Sequence, residues 1–379
     1  MTRKTERLAL PAQGIGTQRH LTIHRYGSPG ARPKAYFQGA LHADEIPGMM
    51  VAHHLARLLD EAAAAGGILG EIVLLPYANP IGLAQFMNGD HVGRYDLRGG
   101  GNFNRNWPDL FEPLAGKVEG RLGTEPAANV ALIRAALRGL VSELKPAGEL
   151  AALRQFLLRE AIDADLVFDM HCDDEALLYL FTLPAFWPEA GDIAAELGCD
   201  AVLLADPSGG TPFDETFSSL WTRLAARFPD HPIPLACLST TLELRGRAEV
   251  SDTLAEADAA ALFRVLQRRG LVAGEPRPLP EHVPLVAPFE AVDTVKAPAS
   301  GMIAYKAELG AQVRKGEVIA EIVDPAGETP AKARLPVASG TDGLLLTRRL
   351  HKYVPAGSGI AKVVGSEPLA HRSGYLMED

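Results

Sequence analysis

Cysteine is scarce: the chain of 379 residues has three, Cys172, Cys199 and Cys237. That number is too small, and odd, for a disulfide framework, and it fits reduced thiols in a cytoplasm. Long apolar runs are missing as well. No stretch approaches the roughly 20 residues of a membrane helix, and the polar N-terminus, Met1-Thr-Arg-Lys-Thr-Glu-Arg-Leu, lacks the apolar run of a secretory signal. A cytoplasmic protein with no membrane partner is expected. Positive charge is in deficit: a formal net charge of −10 offers no general attraction to a phosphate backbone or to anionic lipid, so nucleic acid is not an expected partner. An acidic chain can still bind an anion where local arginines set the field of a cleft. What the chain has in quantity is apolar surface to bury, with 47% hydrophobic and 22% charged residues, an ordinary composition for a globule with a large core.

Short apolar runs alternate with helical patterns between about residues 35 and 250. Ala35 to Leu41, Glu71 to Tyr77, Leu166 to Met170, Leu177 to Thr182, Ala201 to Leu204 and Cys237 to Leu242 read as strands buried on both faces. Helical periodicity fills Pro47 to Glu61, Pro126 to Leu144, Leu150 to Ala161, Asp214 to Phe228 and Asp252 to Arg269. The alternation predicts an α/β/α sandwich around a mostly parallel or mixed sheet. From Gly274 to Pro284 there are four prolines in eleven residues, which excludes a helix or a central strand. Beyond it, short strands separated by glycine turns (Asp293 to Ala297, Gly301 to Ala304, Val318 to Ile322, Gly343 to Thr347, Ile360 to Val364) predict a small all-β barrel. The expected division is a catalytic domain over 1–275, a Pro-rich linker over 276–289 and a barrel over 290–379.

Chemistry concentrates where apolar strands end. In Gly39-Ala-Leu-His-Ala-Asp-Glu-Ile-Pro-Gly, His42 and Glu45 stand three apart where a strand gives way to a helix, so an imidazole nitrogen and a carboxylate oxygen can converge on one cation. Leu166-Val-Phe-Asp-Met-His-Cys-Asp-Asp ends a second strand in His171. Two histidines and a glutamate are the three protein ligands of a catalytic zinc, with the fourth position left for water. Asp169, two before His171, can orient one of the two histidines. Glu243 interrupts the apolar run Cys237-Leu-Ser-Thr-Thr-Leu-Glu-Leu-Arg. It is either a general base beside the metal or the partner of Arg245. Gly99-Gly-Gly-Asn-Phe-Asn-Arg-Asn-Trp-Pro sets Asn104 and Arg105 beside a flexible glycine run, where an arginine fork and an amide suit a carboxylate. Arg94 and Arg98 just upstream are candidates to stabilise an oxyanion. Asn104, Arg105 and Arg245 are the candidate substrate-binding residues.

Gly39-Ala-Leu-His42-Ala-Asp-Glu45, Asn79-Pro80, Asn104-Arg105-Asn-Trp-Pro, Asp169-Met-His171 and Thr241-Leu-Glu243 occur in the order and spacing of the succinylglutamate desuccinylase/aspartoacylase family, a branch of the zinc carboxypeptidase group that the chain resembles over roughly residues 30 to 260. The resemblance implies one Zn2+ per chain on His42, Glu45 and His171, Glu243 as general acid/base taking the proton of a water, and Asn104 with Arg105 holding a substrate carboxylate. Arg94 or Arg98 would polarise the scissile carbonyl. Where the family usually has Asp-Leu-Asn-Arg, this chain has Asn102-Phe-Asn-Arg. The expected activity is release of an acyl group from an N-acyl amino acid or a related small amide with a free carboxylate. A carboxypeptidase acting on small peptides differs from it only in the leaving group.

The C-terminal segment resembles the biotinyl/lipoyl-like barrel through Val295-Lys-Ala-Pro-Ala-Ser-Gly, Leu309-Gly-Ala-Gln-Val-Arg-Lys-Gly-Glu-Val-Ile-Ala and Val354-Pro-Ala-Gly-Ser-Gly-Ile-Ala. A carrier module needs a modified lysine at the hairpin tip. The turn here is Ala338-Ser-Gly-Thr-Asp-Gly, and Lys296, Lys306, Lys315, Lys332, Lys352 and Lys362 all lie off it. An accessory barrel is expected, packed near the cleft or against a neighbouring subunit of a homo-oligomer.

Overall fold

A computed structural model describes residues 2–330 and 332–376. Nine strands form the main sheet: β1 (Lys4–Ala9), β2 (His20–Tyr26), β3 (Lys34–Gly39), β4 (Glu71–Leu75), β5 (Leu166–Asp173), β6 (Leu178–Thr182), β7 (Ala201–Leu204), β8 (Leu238–Gly246) and β9 (Leu285–Pro288). Their order across the sheet is β1-β2-β4-β3-β5-β8-β6-β7-β9. The centre, β4-β3-β5-β8, is parallel. The pairs β1-β2, β2-β4 and β6-β8 are antiparallel, which makes the sheet mixed.

The two faces are read from alternate side chains. Tyr36 of β3, Val73 and Leu75 of β4 and Val167 of β5 pack under α2 (Phe111–Val118), α3 (Pro126–Glu143), α4 (Glu149–Ala161) and α6 (Glu215–Arg227). Ala35, Phe37, Ile72, Leu74, Phe168 and Leu242 face the other way, under α1 (Pro47–Ala64), α5 (Gly191–Leu197) and α7 (Asp252–Arg268). The period of two is why the central strands read as continuous apolar runs. The architecture is the expected α/β/α sandwich, and small antiparallel sheets follow in the C-terminal region.

Two features depart from the sequence reading. The hairpin β1-β2 is unanticipated; β1 is an edge strand, Lys-Thr-Glu-Arg-Leu-Ala, whose alternation is mostly exposed and polar. The proline-rich stretch ends in β9, which pairs in parallel with β7. Its proline, Pro288, is tolerated because β9 is an edge strand with no neighbour on its outer side among the described residues. The C-terminal sheets are also joined to the sandwich: Glu175 and Ala176, just after β5, pair with Arg348 and Thr347. Tyr179, Ala201, Leu203, Phe289, Leu346 and Leu376 share one apolar cluster.

Candidate metal centre and active site

On the face under α6, the central strands change character toward their C-terminal ends. Tyr36 gives way to Gln38 on β3, Val167 to Asp169 and His171 on β5, and Cys237 to Ser239, Thr241 and Glu243 on β8. Register sets Asp169 beside Gln38 and Thr241, and His171 beside Glu243. A polar floor therefore lies at the strand ends, where open α/β sheets bind ligands.

Glu45 reaches that floor because α1 starts very close to the sheet. A Cβ on Gly39 would lie 2.9 Å from the Gly48 carbonyl carbon, and one on Gly48 would lie 2.9 Å from Met170 Cβ. Only glycine at both positions allows the approach. His42, Glu45 and His171 are buried, and their ligand atoms lie within 4.8 Å of one another. Glu45 Oε1 is 3.0 Å from His42 Nδ1, and Oε2 is 2.7 Å from His171 Nδ1. Each histidine turns its other nitrogen to an acceptor: His42 Nε2 donates to Asn102 Oδ1 at 2.8 Å, and His171 Nε2 is 2.9 Å from Asp169 Oδ2. Asn102 Oδ1 also accepts from Asn104 N, which fixes the amide's orientation. Asn102 holds the proton of His42 on Nε2, and the Asp169 carboxylate lies beside Nε2 of His171, so Nδ1 is the inward atom of both rings, the arrangement of metal-ligating histidines. Asp169 thus faces His171. Asn102, where the family usually has aspartate, faces His42.

The charges follow the geometry. Burial works against charge on Glu45, but His42 and His171 outweigh it and hold the carboxyl well below its usual range. Burial likewise opposes charge on His171, and Asp169 and Glu45 outweigh it, so the ring stays well above the ordinary imidazole value. His42 is depressed to about 4 by burial and by Arg94. Two imidazoles and a carboxylate converging in a buried pocket fit zinc by donor type and number.

Glu243 stands beside this centre, half-buried, and its enclosed Oε2 has no hydrogen-bond partner among the described residues. Burial and the neighbouring Glu45 push its carboxyl up to about 8. The expected alternative, a pair with Arg245, does not form. The strand bulges between Glu243 and Gly246, and Arg245 has φ of 66°. A bulge breaks the period of two, and Arg245 turns away to a two-pronged pair with Asp258 of α7 at 2.8 and 2.9 Å. It does not line the cavity, so its candidacy for substrate binding is not supported by its position.

The cavity of about 570 Å³ is lined by His42, Glu45, Arg94, Asn104, Arg105, His171 and Glu243, among others. Arg94 Nη1 donates to Glu45 Oε1 at 2.8 Å. Arg98 is elsewhere, bound to Asp96 and Glu149 at 3.0 and 3.2 Å. Of the two arginines, Arg94 is the one at the centre. Asn104 Oδ1 accepts from Phe213 N at 2.8 Å, and Arg105, 3% exposed, donates to the Asn104 carbonyl at 2.9 Å and to the Tyr375 hydroxyl at 3.3 Å. The cavity also holds groups that the sequence did not single out. Arg247 Nη1 donates to Asp44 at 2.8 Å. Lys362, from the C-terminal strand Gly359–Val364, is bonded to Asp173, and Thr294 and Ser358 of the C-terminal sheets complete the wall. Sequence offered no signal for these, since 189 residues separate Lys362 from Asp173.

Comparison with known proteins agrees with this reading of the fold. A protein named for the succinylglutamate desuccinylase/aspartoacylase family, from Shewanella amazonensis SB2B, superposes with a TM-score of 0.82 at 22% identity, covering 95% of this chain and 98% of its own. Another so named, from Shewanella frigidimarina NCIMB 400, gives 0.83 at 22% identity over 96% and 98%. The product-bound ectoine utilization protein EutE (DoeB) from Ruegeria pomeroyi gives 0.67 at 19% identity over 96% and 95%. At these identities the likeness is one of fold. No curated protein matches the chain in sequence. Residues 31–125 match the family model of the succinylglutamate desuccinylase/aspartoacylase catalytic domain, and the fold is shared along nearly the whole chain.

Proposed function

We propose that the protein is a zinc-dependent amide hydrolase that releases the acyl group of an N-acyl amino acid or a related small amide with a free carboxylate. The observation that carries this reading is the convergence of His42, Glu45 and His171 beside a half-buried carboxylate, Glu243, whose enclosed Oε2 has no hydrogen-bond partner among the described residues. Zinc, when bound, supplies Lewis acidity that acidifies a water and polarises a carbonyl oxygen. The chain's own residues do the rest. Glu243 accepts the proton of the attacking water and returns it to the departing amine. Its raised proton affinity, caused by burial and by Glu45, suits a group that must hold and release a proton near neutral pH. Arg94 faces the developing oxyanion from the side of Glu45. Asn104 and Arg105 orient the substrate carboxylate, and the barrel wall keeps the site narrow enough to favour small substrates. The test is a panel of N-acyl amino acids and dipeptides assayed with added zinc. Turnover of acyl amino acids supports the reading, turnover of dipeptides alone moves it to a peptidase, and no metal-dependent turnover removes it.

A further inference from the structure

The loop that carries Asn104 and Arg105 has no helix or strand between Asn102 and Phe111, so its shape depends on what binds its backbone. On one side the segment before α6 accepts from its amides: Asn106 N donates to the Gly210 carbonyl at 2.8 Å, and Trp107 N to the Thr211 carbonyl at 3.2 Å. On the other side, three of its carbonyls turn to one side chain of α4. Arg154 Nη2 donates to the Arg105 carbonyl at 2.8 Å and to the Asn102 carbonyl at 3.4 Å, and Nη1 reaches the Asn106 carbonyl at 3.4 Å. The guanidinium also lies 5.5 Å from the centre of the Trp107 ring. Arg154 is half-buried, forms no ion pair among the described residues, and keeps Nε enclosed without a hydrogen-bond partner there. Burial lowers its proton affinity, and no acid offsets the effect.

We propose that Arg154 is a positioning residue for the substrate carboxylate: it fixes the backbone from Asn102 to Asn106, so that Asn104 and Arg105 meet that carboxylate in one geometry. This deepens the hydrolase reading and rests on its placing of the carboxylate. Three converging carbonyls call for several donors in a fixed plane, which a guanidinium offers and an ammonium does not. The left-handed turn at Asn106, with φ of 57°, is one that asparagine tolerates, and it lies between two of the bonded carbonyls. A receptor built on a two-pronged fork works when its supports hold it within about 0.5 Å, and a loop without regular structure has to take that rigidity from a neighbour. Arg154 also brings a charge that no acid neutralises, which adds to the positive field in which a carboxylate would come to rest.

The experiment measures binding of N-acetylglycine and N-acetylglycinamide, which differ at the carboxylate alone, by calorimetry. The protein is zinc-loaded and carries Glu243→Gln, so that neither probe turns over, and Arg154→Met and Arg154→Lys are compared with Arg154 in that background. With Arg154 present the acid should bind at least about tenfold more tightly than the amide, the scale of a charge-assisted hydrogen bond. The preference should fall to about twofold or less in Arg154→Met and lie between the two in Arg154→Lys, which keeps the charge and loses the fork. Zinc content and affinity for the amide should not change. An equal loss for acid and amide marks Arg154 as a support of the fold alone and overturns the proposal. So does an unchanged preference in both variants, or no preference with Arg154 present. If Arg154→Met does not fold, Arg154→Lys decides by the same criteria. If the acid is preferred through Arg154 but wild type hydrolyses no N-acyl amino acid, the hydrolase reading fails and the role of Arg154 stands.

Discussion

Asp169→Asn tests the outer support of the candidate metal centre without touching a ligand. Asp169 is fully buried. Its Oδ1 accepts from Gln38 Nε2 at 2.8 Å, and Gln38 is itself fixed by the Tyr36 hydroxyl, which donates to Oε1 at 2.7 Å. An asparagine at 169 must keep its oxygen toward the Gln38 donor, so its NH2 faces His171 Nε2. That nitrogen must then become an acceptor, and the proton moves to Nδ1, the atom that turns toward Glu45. The histidine is left in the wrong tautomer for a metal. Loss of such a partner costs roughly tenfold to a hundredfold in affinity, or about 1.4 to 2.7 kcal/mol. The assay is competitive zinc titration against a chromophoric chelator at pH 7.5, with His171→Ala as the reference for a lost ligand. Adding Gln38→Leu to Asp169→Asn frees the amide to rotate and should recover part of the affinity, a non-additive result. An Asp169→Asn protein that is folded and binds zinc as wild type does would refute the reasoning.

Other outcomes are expected from the same structure. Glu243→Gln should keep its zinc in metal analysis and lose about 10² to 10⁴ in kcat, since the volume is preserved and the proton acceptor removed; an unchanged kcat puts the base elsewhere. Asp163 accepts from Lys34 Nζ at 2.6 Å and pairs with Arg32 and Arg138, and although burial opposes it, Lys34 leads the charges that lower its carboxyl. Its contribution is present above pH about 4, the ordinary aspartate range, and is lost as pH falls through the lowered value, so Asp163→Asn should cost about 1 to 3 kcal/mol in urea unfolding at pH 7 and much less at pH 3. A penalty equal at both pH values would count against it. Cutting the chain after residue 275 removes β9 and Phe289 from the cluster around Tyr179 and Leu203; the fragment should aggregate or unfold at a much lower temperature, and a soluble fragment with wild-type Tm would show that the two parts are independent.

The main elements were legible because their burial is two-sided and their strands end in polar residues. His42, Glu45, His171 and Glu243 were visible as polar groups interrupting or ending apolar runs. What stayed hidden depends on contacts far apart in the chain. Arg245 looked like a neighbour of Glu243 because an ideal strand alternates, and one bulged residue reverses that. Arg98 and Arg94 are four residues apart on the same loop, and their partners separate their fates: Asp96 and Glu149 hold Arg98, while Glu45 holds Arg94. Arg154 reads as an ordinary helix residue until the carbonyls of Asn102, Arg105 and Asn106 are seen beside it. The β1-β2 hairpin escaped because the outer half of an edge strand carries no apolar pattern.

The pairing of Glu175 and Ala176 with Thr347 and Arg348 begins two residues beyond the end of the strand that carries His171. A wall attached at that point cannot swing like a door on a flexible strap. Opening the cavity there breaks the sheet hydrogen bonds that join Glu175 and Ala176 to the C-terminal sheets. The space left for a ligand is then set by the residues that line the cavity. Enlarging what the cavity accepts would therefore take substitutions in its C-terminal wall, at Thr294 or Ser358, while His42, Glu45, His171 and Glu243 stay as they are.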